Sequence, residues 1–205
     1  HLPAASAAVC FYGVPPAEVV RAAHAAGIAV IGAATTVAEA VALEAGGVDV
    51  IVATGAEAAG HRVSFLRPAA DSLVGTFTLV PQVVDAVGVP VVAAGGIADR
   101  RGVAAAFALG AAGVQVGTAF LATRQSAASD AYRSALRAAS ADQTCLTRAM
   151  SGRLSRGLPN RAVRTIEATG SIAPFPAQNW LTGQFRSVAA RAGRADLVSL
   201  WAGQG

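Results

Sequence analysis

Charge and aromatic rings are scarce in this sequence. Of its 205 residues, Asp, Glu, Lys and Arg make up 14% and Phe, Trp and Tyr 5%, while 54% are hydrophobic. A disordered polyelectrolyte needs low hydrophobicity joined to high charge, so that class is excluded. A chain of this length can bury the core of one domain, or two at most. The formal net charge of +4 is small, and its scatter lays down no footprint for nucleic acid. There are two cysteines, Cys10 and Cys145. They form neither a CxxC pair nor a dense framework, so a reducing, cytoplasmic setting is the expectation.

Familiar signatures are missing too. No basic segment precedes an apolar run, so no signal peptide is expected. The chain opens on His1 rather than Met, and the numbering is expected to begin inside a longer protein. Residues Val103 to Thr123 carry no charge, but Gly110, Gly113 and Gly117 interrupt them and Gln115 sits inside. A buried helix–strand–helix passage is expected there rather than a membrane span. There is no GxGxxG fingerprint, P-loop, nucleophile elbow or HExxH. The two cysteines and three separated histidines have no metal-ligand spacing.

What is present is a β–α rhythm. Ala7–Tyr12, Ile28–Ile31, Val48–Val52, Val89–Ala93 and Gly113–Val116 read as five strands. They are continuous apolar runs, as expected of parallel strands covered on both faces. Helices are expected from Pro15 and Pro16 to Ala26, over Thr35–Ala45, Thr78–Val87 and Arg100–Leu109. Thr36 with Glu39 has capping-box spacing, and Asp99 can cap the helix that follows it. Ala53 to Gly75 reads as a loop. Beyond residue 126, Asp130–Ala139 is expected as a helix, Thr144–Pro159 as an Arg- and Gly-rich stretch, Gly170–Asn179 as a loop, and Thr182–Ala192 and Ala195–Trp201 as closing helices. Five β–α units fit the last part of an eight-unit barrel or a complete doubly wound sheet, and the pattern alone does not separate these.

Three segments carry chemistry. Ala93–Ala98 (AAGGIA) puts Gly95 and Gly96 at the end of the fourth strand, where backbone N–H groups can approach an anion. Gly113–Leu121 (GVQVGTAFL) puts Gly117 and Thr118 at the end of the fifth. Two consecutive junctions of this form point to a phosphate group, or else are ordinary tight turns. Thr54–Ser64 (TGAEAAGHRVS) holds Glu57, His61 and Arg62. Histidine titrates near neutrality, so His61 is either a general base or proton-sharing donor, or a surface residue beside a solvated Arg62. His24, within an Ala-rich helix, reads as structural. Arg148, Arg153, Arg156, Arg161 and Arg164 read as a solvated loop, because no aromatics interleave with them as nucleic-acid binding would require.

Together these segments resemble the nitronate monooxygenase family, also called 2-nitropropane dioxygenases, which are FMN-dependent (β/α)8 enzymes. The family carries QGxEAGGHRG after a strand, then AAGGIxD, then GVQxGTxFL, and often ends in a segment like SLWAGQ. The matching stretches are Thr54–Val63, Ala93–Asp99, Gly113–Leu121 and Ser199–Gln204, and Ser151–Asn160 (SGRLSRGLPN) is similar to the family's post-barrel SGR segment. The resemblance implies a partial (β/α)8 barrel over residues 1–125, about five C-terminal β–α units, with a helical and loop extension over 126–205 packing on it. It implies FMN contacts from Thr54, Ala59, Gly60, Gly95, Gly96, Gln115, Val116, Gly117 and Thr118, and makes His61 the catalytic histidine. The implied reaction is oxidation of an alkyl nitronate or nitroalkane by FMN and O2 to a carbonyl compound and nitrite. No nucleic acid or membrane partner is implied.

This sequence departs from the family at Thr54 (Gln), Ala59 (Gly) and Val63 (Gly). It also lacks the first three β–α units. Their absence leaves unpaired strand edges, so self-association or a need for the missing N-terminal strands is expected. Two other readings stay open: an FMN-dependent enoyl-acyl-carrier-protein reductase, and a non-catalytic piece that binds FMN, phosphate or a partner chain.

Overall fold

The computed structural model describes residues 5–205. His1 lies outside the described residues. The chain divides into two compact units. One comprises the described residues through Ala56 together with Val63–Gln115; the other comprises Glu57–Arg62 and Val116–Gly205.

The first unit is a run of β–α pairs. Its elements are β1 (Ala7–Cys10), α1 (Ala17–Ala25), β2 (Ala29–Ala34), α2 (Val37–Ala45) and β3 (Val50–Thr54). After β4 (Gly60–His61), which belongs to the second unit, come α3 (Thr76–Ala86), β5 (Val91–Ala94), α4 (Arg100–Ala108) and β6 (Gly113–Gln115). The five long-range strands form one sheet in the order β1-β2-β3-β5-β6, and every pairing is parallel. This order decides between the two candidate architectures. A doubly wound sheet reverses its strand order at a switch point, whereas here each strand lies beside its predecessor. Right-handed crossovers that always advance place every helix on the same face, which is the arrangement of a (β/α)8 barrel. The first unit is therefore part of such a barrel. Its core includes Ala33, Val52, Val63 and Ala94, flanked by Ile31 and Val92.

Local signals fix the helix starts. The Thr36 hydroxyl accepts the Glu39 N–H at 3.3 Å, and Asp99 caps α4. The Glu39 side chain does not close the expected box on Thr36. It is fully buried and accepts from the Thr35 N–H and hydroxyl at 2.8 and 2.7 Å, and from the Phe65 and Leu66 N–H groups at 2.7 and 3.2 Å. A buried carboxylate needs such donors, and these tie the segment after the His61 loop to α2. β1 alternates exposed and half-buried residues rather than being covered on both faces, because it is an edge strand of this sheet.

The second unit contains α5 (Thr118–Leu121), α6 (Asp130–Ala138), β7 (Cys145–Thr147), β8 (Ser155–Gly157), α7 (Arg161–Ala168) and α8 (Ala177–Arg191). Strands β4, β8 and β7 form an antiparallel sheet in that order. The expected Arg- and Gly-rich loop thus holds two strands, and the expected loop over 53–75 holds one. Helix α7, capped by the Asn160 side chain, was not expected. In place of a helix over Ala195–Trp201 there is a short 3-10 turn at Ala195–Leu197, and Trp201 bridges to Gly157. Leu158, Leu200 and Ala202 form one core cluster of this unit, and Ala149, Met150, Ala162 and Val163 another. Among the described residues, no helix is long and apolar enough to cross a membrane.

Candidate active site

In the first unit, neighbouring parallel strands end in one row. Thr54 lies opposite Ala94, and Ala94 opposite Gln115. Thr54, Gly95 and Gln115 therefore sit at carboxyl ends of adjacent strands, the edge where barrel enzymes place their chemistry. Gly95 and Gly96 have φ of 112° and 69°. A residue with a Cβ pays roughly 1–2 kcal/mol in the left-handed region, so the turn itself calls for glycine. The turn is anchored by a residue that sequence reasoning did not single out: the Thr76 hydroxyl donates to the Gly95 carbonyl at 2.9 Å. The first N–H groups of α4 are engaged by Asp99, which accepts from Arg101 and Gly102 at 2.9 and 3.3 Å. Gly96 itself is exposed. The Thr54 hydroxyl donates to the Val52 carbonyl at 3.2 Å.

In the second unit, His61 is half-buried at the end of β4. Its Nε2 lies 2.7 Å from the Ser151 hydroxyl. Ser151 is 1% exposed and opens the SGR segment. Phe175 and Trp201 stand against the imidazole, with ring centroids 5.8 and 5.6 Å away. Burial, and then the positive charges of Arg153 and Arg186, push the His61 pKa below its ordinary value. All three favour the neutral ring. Arg153 Nε donates to the Arg62 carbonyl at 2.9 Å. Arg186 is held by neutral groups, the Ser199 hydroxyl at 2.9 Å and the Asn179 carbonyl and amide oxygens at 3.0 and 2.7 Å. Arg62 is fully buried rather than solvated, and its N–H donates to the Leu154 carbonyl at 2.8 Å. The basic stretch is likewise not simply a solvated loop, since Arg153 and Arg156 are half-buried and Arg156 donates to the Thr144 hydroxyl at 3.0 Å. His24 pairs with Asp49 at 3.0 Å and plays a structural part.

The C-terminal segment folds over the stretch that leads to His61. The Gln204 N–H donates to the Glu57 carbonyl at 3.0 Å, and the Gly203 N–H to the Thr118 hydroxyl at 2.9 Å. A Cβ on Gly203 would stand 2.8 Å from the Glu57 carbonyl oxygen and 3.2 Å from the Ala59 nitrogen. Only glycine lets the backbones come so close. Thus Ala59 and Thr118 meet at Gly203. Sequence reasoning noted the SLWAGQ segment but gave it no task. Of the remaining residues, Val116 is half-buried and Gly117 exposed.

The departures at Ala59 and Val63 have local explanations. Ala59 does not occupy a left-handed position; Gly60 does, with φ of 73°. Val63 is buried and joins the first unit's core. Among the described residues, no group of three or more His, Cys, Asp or Glu could hold a metal ion.

The family model for nitronate monooxygenase matches residues 3–205. A Staphylococcus aureus (strain Newman) protein named "Probable nitronate monooxygenase" is 47% identical over 198 residues, 95% of this chain and 56% of that protein. The chain thus spans little more than half the length of its curated relatives. Among solved structures, a nitroalkane oxidase from Streptomyces ansochromogenes superposes with a TM-score of 0.93 at 40% identity, covering 100% of this chain and 60% of that one. FabK from Thermotoga maritima superposes with a TM-score of 0.75 at 32% identity, covering 97% of this chain and 60% of that one. By sequence along almost its whole length, and by fold, the chain belongs to the nitronate monooxygenase family.

Proposed function

We propose that this chain carries the FMN-dependent oxidation of alkyl nitronates, and of the nitroalkanes that give rise to them, by O2 to a carbonyl compound and nitrite. The observation that supports it most is His61, a half-buried imidazole whose neutral form is favoured by burial and by two guanidiniums, in a chain of this family. A neutral imidazole can take the α-proton of a nitroalkane, or donate a hydrogen bond to the nitro oxygens of a nitronate. The same two positive charges favour the anionic nitronate over its neutral precursor.

The residues present fit a flavin phosphate. Gly95 and Gly96 turn their backbone through a region that costs other residues roughly 1–2 kcal/mol. Gly117 has φ of −110°, which any residue adopts, yet a Cβ there would meet nothing within 4 Å. Open space rather than backbone strain accounts for that glycine, and open space is what a bulky anion needs in order to reach the main chain. We assign Thr54, Ala59, Gly60, Gly95, Gly96, Gln115, Val116, Gly117 and Thr118 to binding and orienting FMN. When bound, FMN supplies the electron transfer between the nitronate and O2.

The test is a visible spectrum of the purified protein, followed by O2 uptake and nitrite release with propyl-2-nitronate. A flavin spectrum with nitronate-dependent nitrite is expected. His61→Asn is expected to keep the flavin and lose about 100-fold in turnover, the usual scale for a general base. A protein that takes up no FMN would overturn the proposal. So would one whose flavin is bleached rapidly by NADH or NADPH but that yields no nitrite, which would favour the enoyl-reductase reading.

A further inference from the structure

We infer that the Arg186 guanidinium is an anion-binding group beside His61, suited to a small planar oxyanion, and that the nitronate is its ligand. Naming the nitronate rests on the proposed function, whereas the anion site itself is testable without turnover.

A guanidinium has five N–H groups and no acceptor. On Arg186 of α8, Nη1 donates to the Ser199 hydroxyl at 2.9 Å, and Nη2 to the Asn179 carbonyl and amide oxygens at 3.0 and 2.7 Å. Nε–H is shut off from water and has no hydrogen-bond partner among the described residues. A buried donor left unmatched is destabilising, and more so on a charged group. The charge is unmatched as well. Among the described residues Arg186 makes no ion pair, and all three of its acceptors are neutral. Burial lowers its pKa, and no carboxylate pulls the other way. A guanidinium stays charged all the same. A cation taken out of water calls for a compensating anion, and none of the described residues supplies it.

The surroundings of Arg186 say which anion. Its anchors come from the two segments that line His61: Ser199 lies two residues before Trp201, and Asn179 four residues after Phe175. The rings of Trp201 and Phe175 stand 5.6 and 5.8 Å from the imidazole. The charge of Arg186 reaches that same imidazole, as does the charge of Arg153, and no carboxylate is among the groups acting on it. Glu57, on the His61 loop, exerts its charge on Arg156 of β8 instead. The ring thus sits in a positive field, between two aromatic surfaces. A planar guanidinium fork matches two oxygens carried on one atom, and a nitronate presents such a pair on its nitrogen.

The test is a calorimetric titration of the purified protein, in the presence of FMN, with sodium nitrate at fixed ionic strength. Nitrate is a planar oxyanion with no C–H bond to lose. The wild type is expected to bind it, and Arg186→Gln to bind it at least about tenfold more weakly, the scale of a hydrogen bond to a charged group. Arg186→Lys keeps a charge but loses the fork, and should be weakened by a smaller factor. With preformed nitronate, Arg186→Gln should raise KM by a factor similar to its loss of nitrate affinity and change kcat little; with the neutral nitroalkane KM should move less. A guanidinium that merely staples α8 to the closing segment would lower Tm in Arg186→Gln without moving nitrate affinity or the nitronate KM. That result, or a wild type that binds no nitrate, would overturn the inference. Should Arg186→Gln not fold, Arg186→Lys decides the matter, and an unchanged nitrate affinity there would overturn it equally. Arg186-dependent nitrate binding by a protein that releases no nitrite from any nitronate would instead defeat the proposed function and leave the anion site standing.

Discussion

At His61, burial and charge push in one direction. The sequence contains no lysine, so every basic side chain is a guanidinium, which keeps its charge even when partly desolvated. Arg153 and Arg186 are therefore permanent positive charges acting on the ring, and both lower its pKa, as desolvation does. The consequence for stability has a definite sign. The folded chain releases the His61 proton more readily than the unfolded chain, whose histidine titrates near 6.5. Below that pH the unfolded state binds more protons, so the contribution is fully present above about 6.5 and is lost as pH falls toward the lower, folded value. Thermal melts of wild type and His61→Asn between pH 7.5 and 5 should show this: the wild type loses Tm more steeply on acidification. Parallel curves would refute it. The residue identity of His61 was legible in the sequence because a histidine in a loop of small residues stands out. Its partner Ser151 was not, since it lies 90 positions away. The SGR segment was noticed as a match, but nothing in it announced a hydroxyl aimed at an imidazole.

At the scale of elements, the closing segment Ser199–Gln204 acts as a strap. It bridges Trp201 to Gly157 at the end of β8, anchors its own backbone on Glu57 and Thr118, and is further held where the Tyr132 hydroxyl donates to the Trp201 carbonyl at 2.6 Å. Gly203 is the tightest point. In Gly203→Ala the new methyl must displace the Glu57 carbonyl or the strap itself. Overpacking of this kind costs about 1–3 kcal/mol, so a lowered Tm is expected together with faster proteolysis in the 57–61 loop. An unchanged melt and digestion pattern would show that the strap is loose. Helix starts were readable from Thr36 and Asp99, because capping is chemistry between near neighbours. Strands β4, β7 and β8 were not readable. Two or three residues hold no periodicity, and the β4–β8 pairing joins segments more than 90 residues apart.

At the scale of the whole molecule, β1 and β6 are the edge strands of the parallel sheet. Val9 and Phe11, on or beside β1, are 50% and 53% exposed. On α8 the usual pattern is reversed: Trp180 and Leu181 are 69% and 62% exposed, while Gln178 and Thr182 are buried, donating to the Ala149 and Met150 carbonyls at 2.7 and 2.5 Å. Strand edges and apolar surface are templates for association. Light scattering coupled to size-exclusion chromatography of the 205-residue chain is expected to show self-association through these surfaces. A compact monomer with a cooperative melt would contradict this.

Composition, the β–α rhythm and the glycine pairs by themselves determined the fold class, because parallel strands, helix caps and left-handed turns are written in contiguous residues. Strand order had to wait for the tertiary structure. The same five units could have reversed at a switch point, and only the observed neighbours exclude that. So did the environment of His61, where a hydroxyl, two guanidiniums and two aromatic rings arrive from residues 151 to 201. A proton's position depends on what surrounds the ring in space, and linear spacing does not encode that.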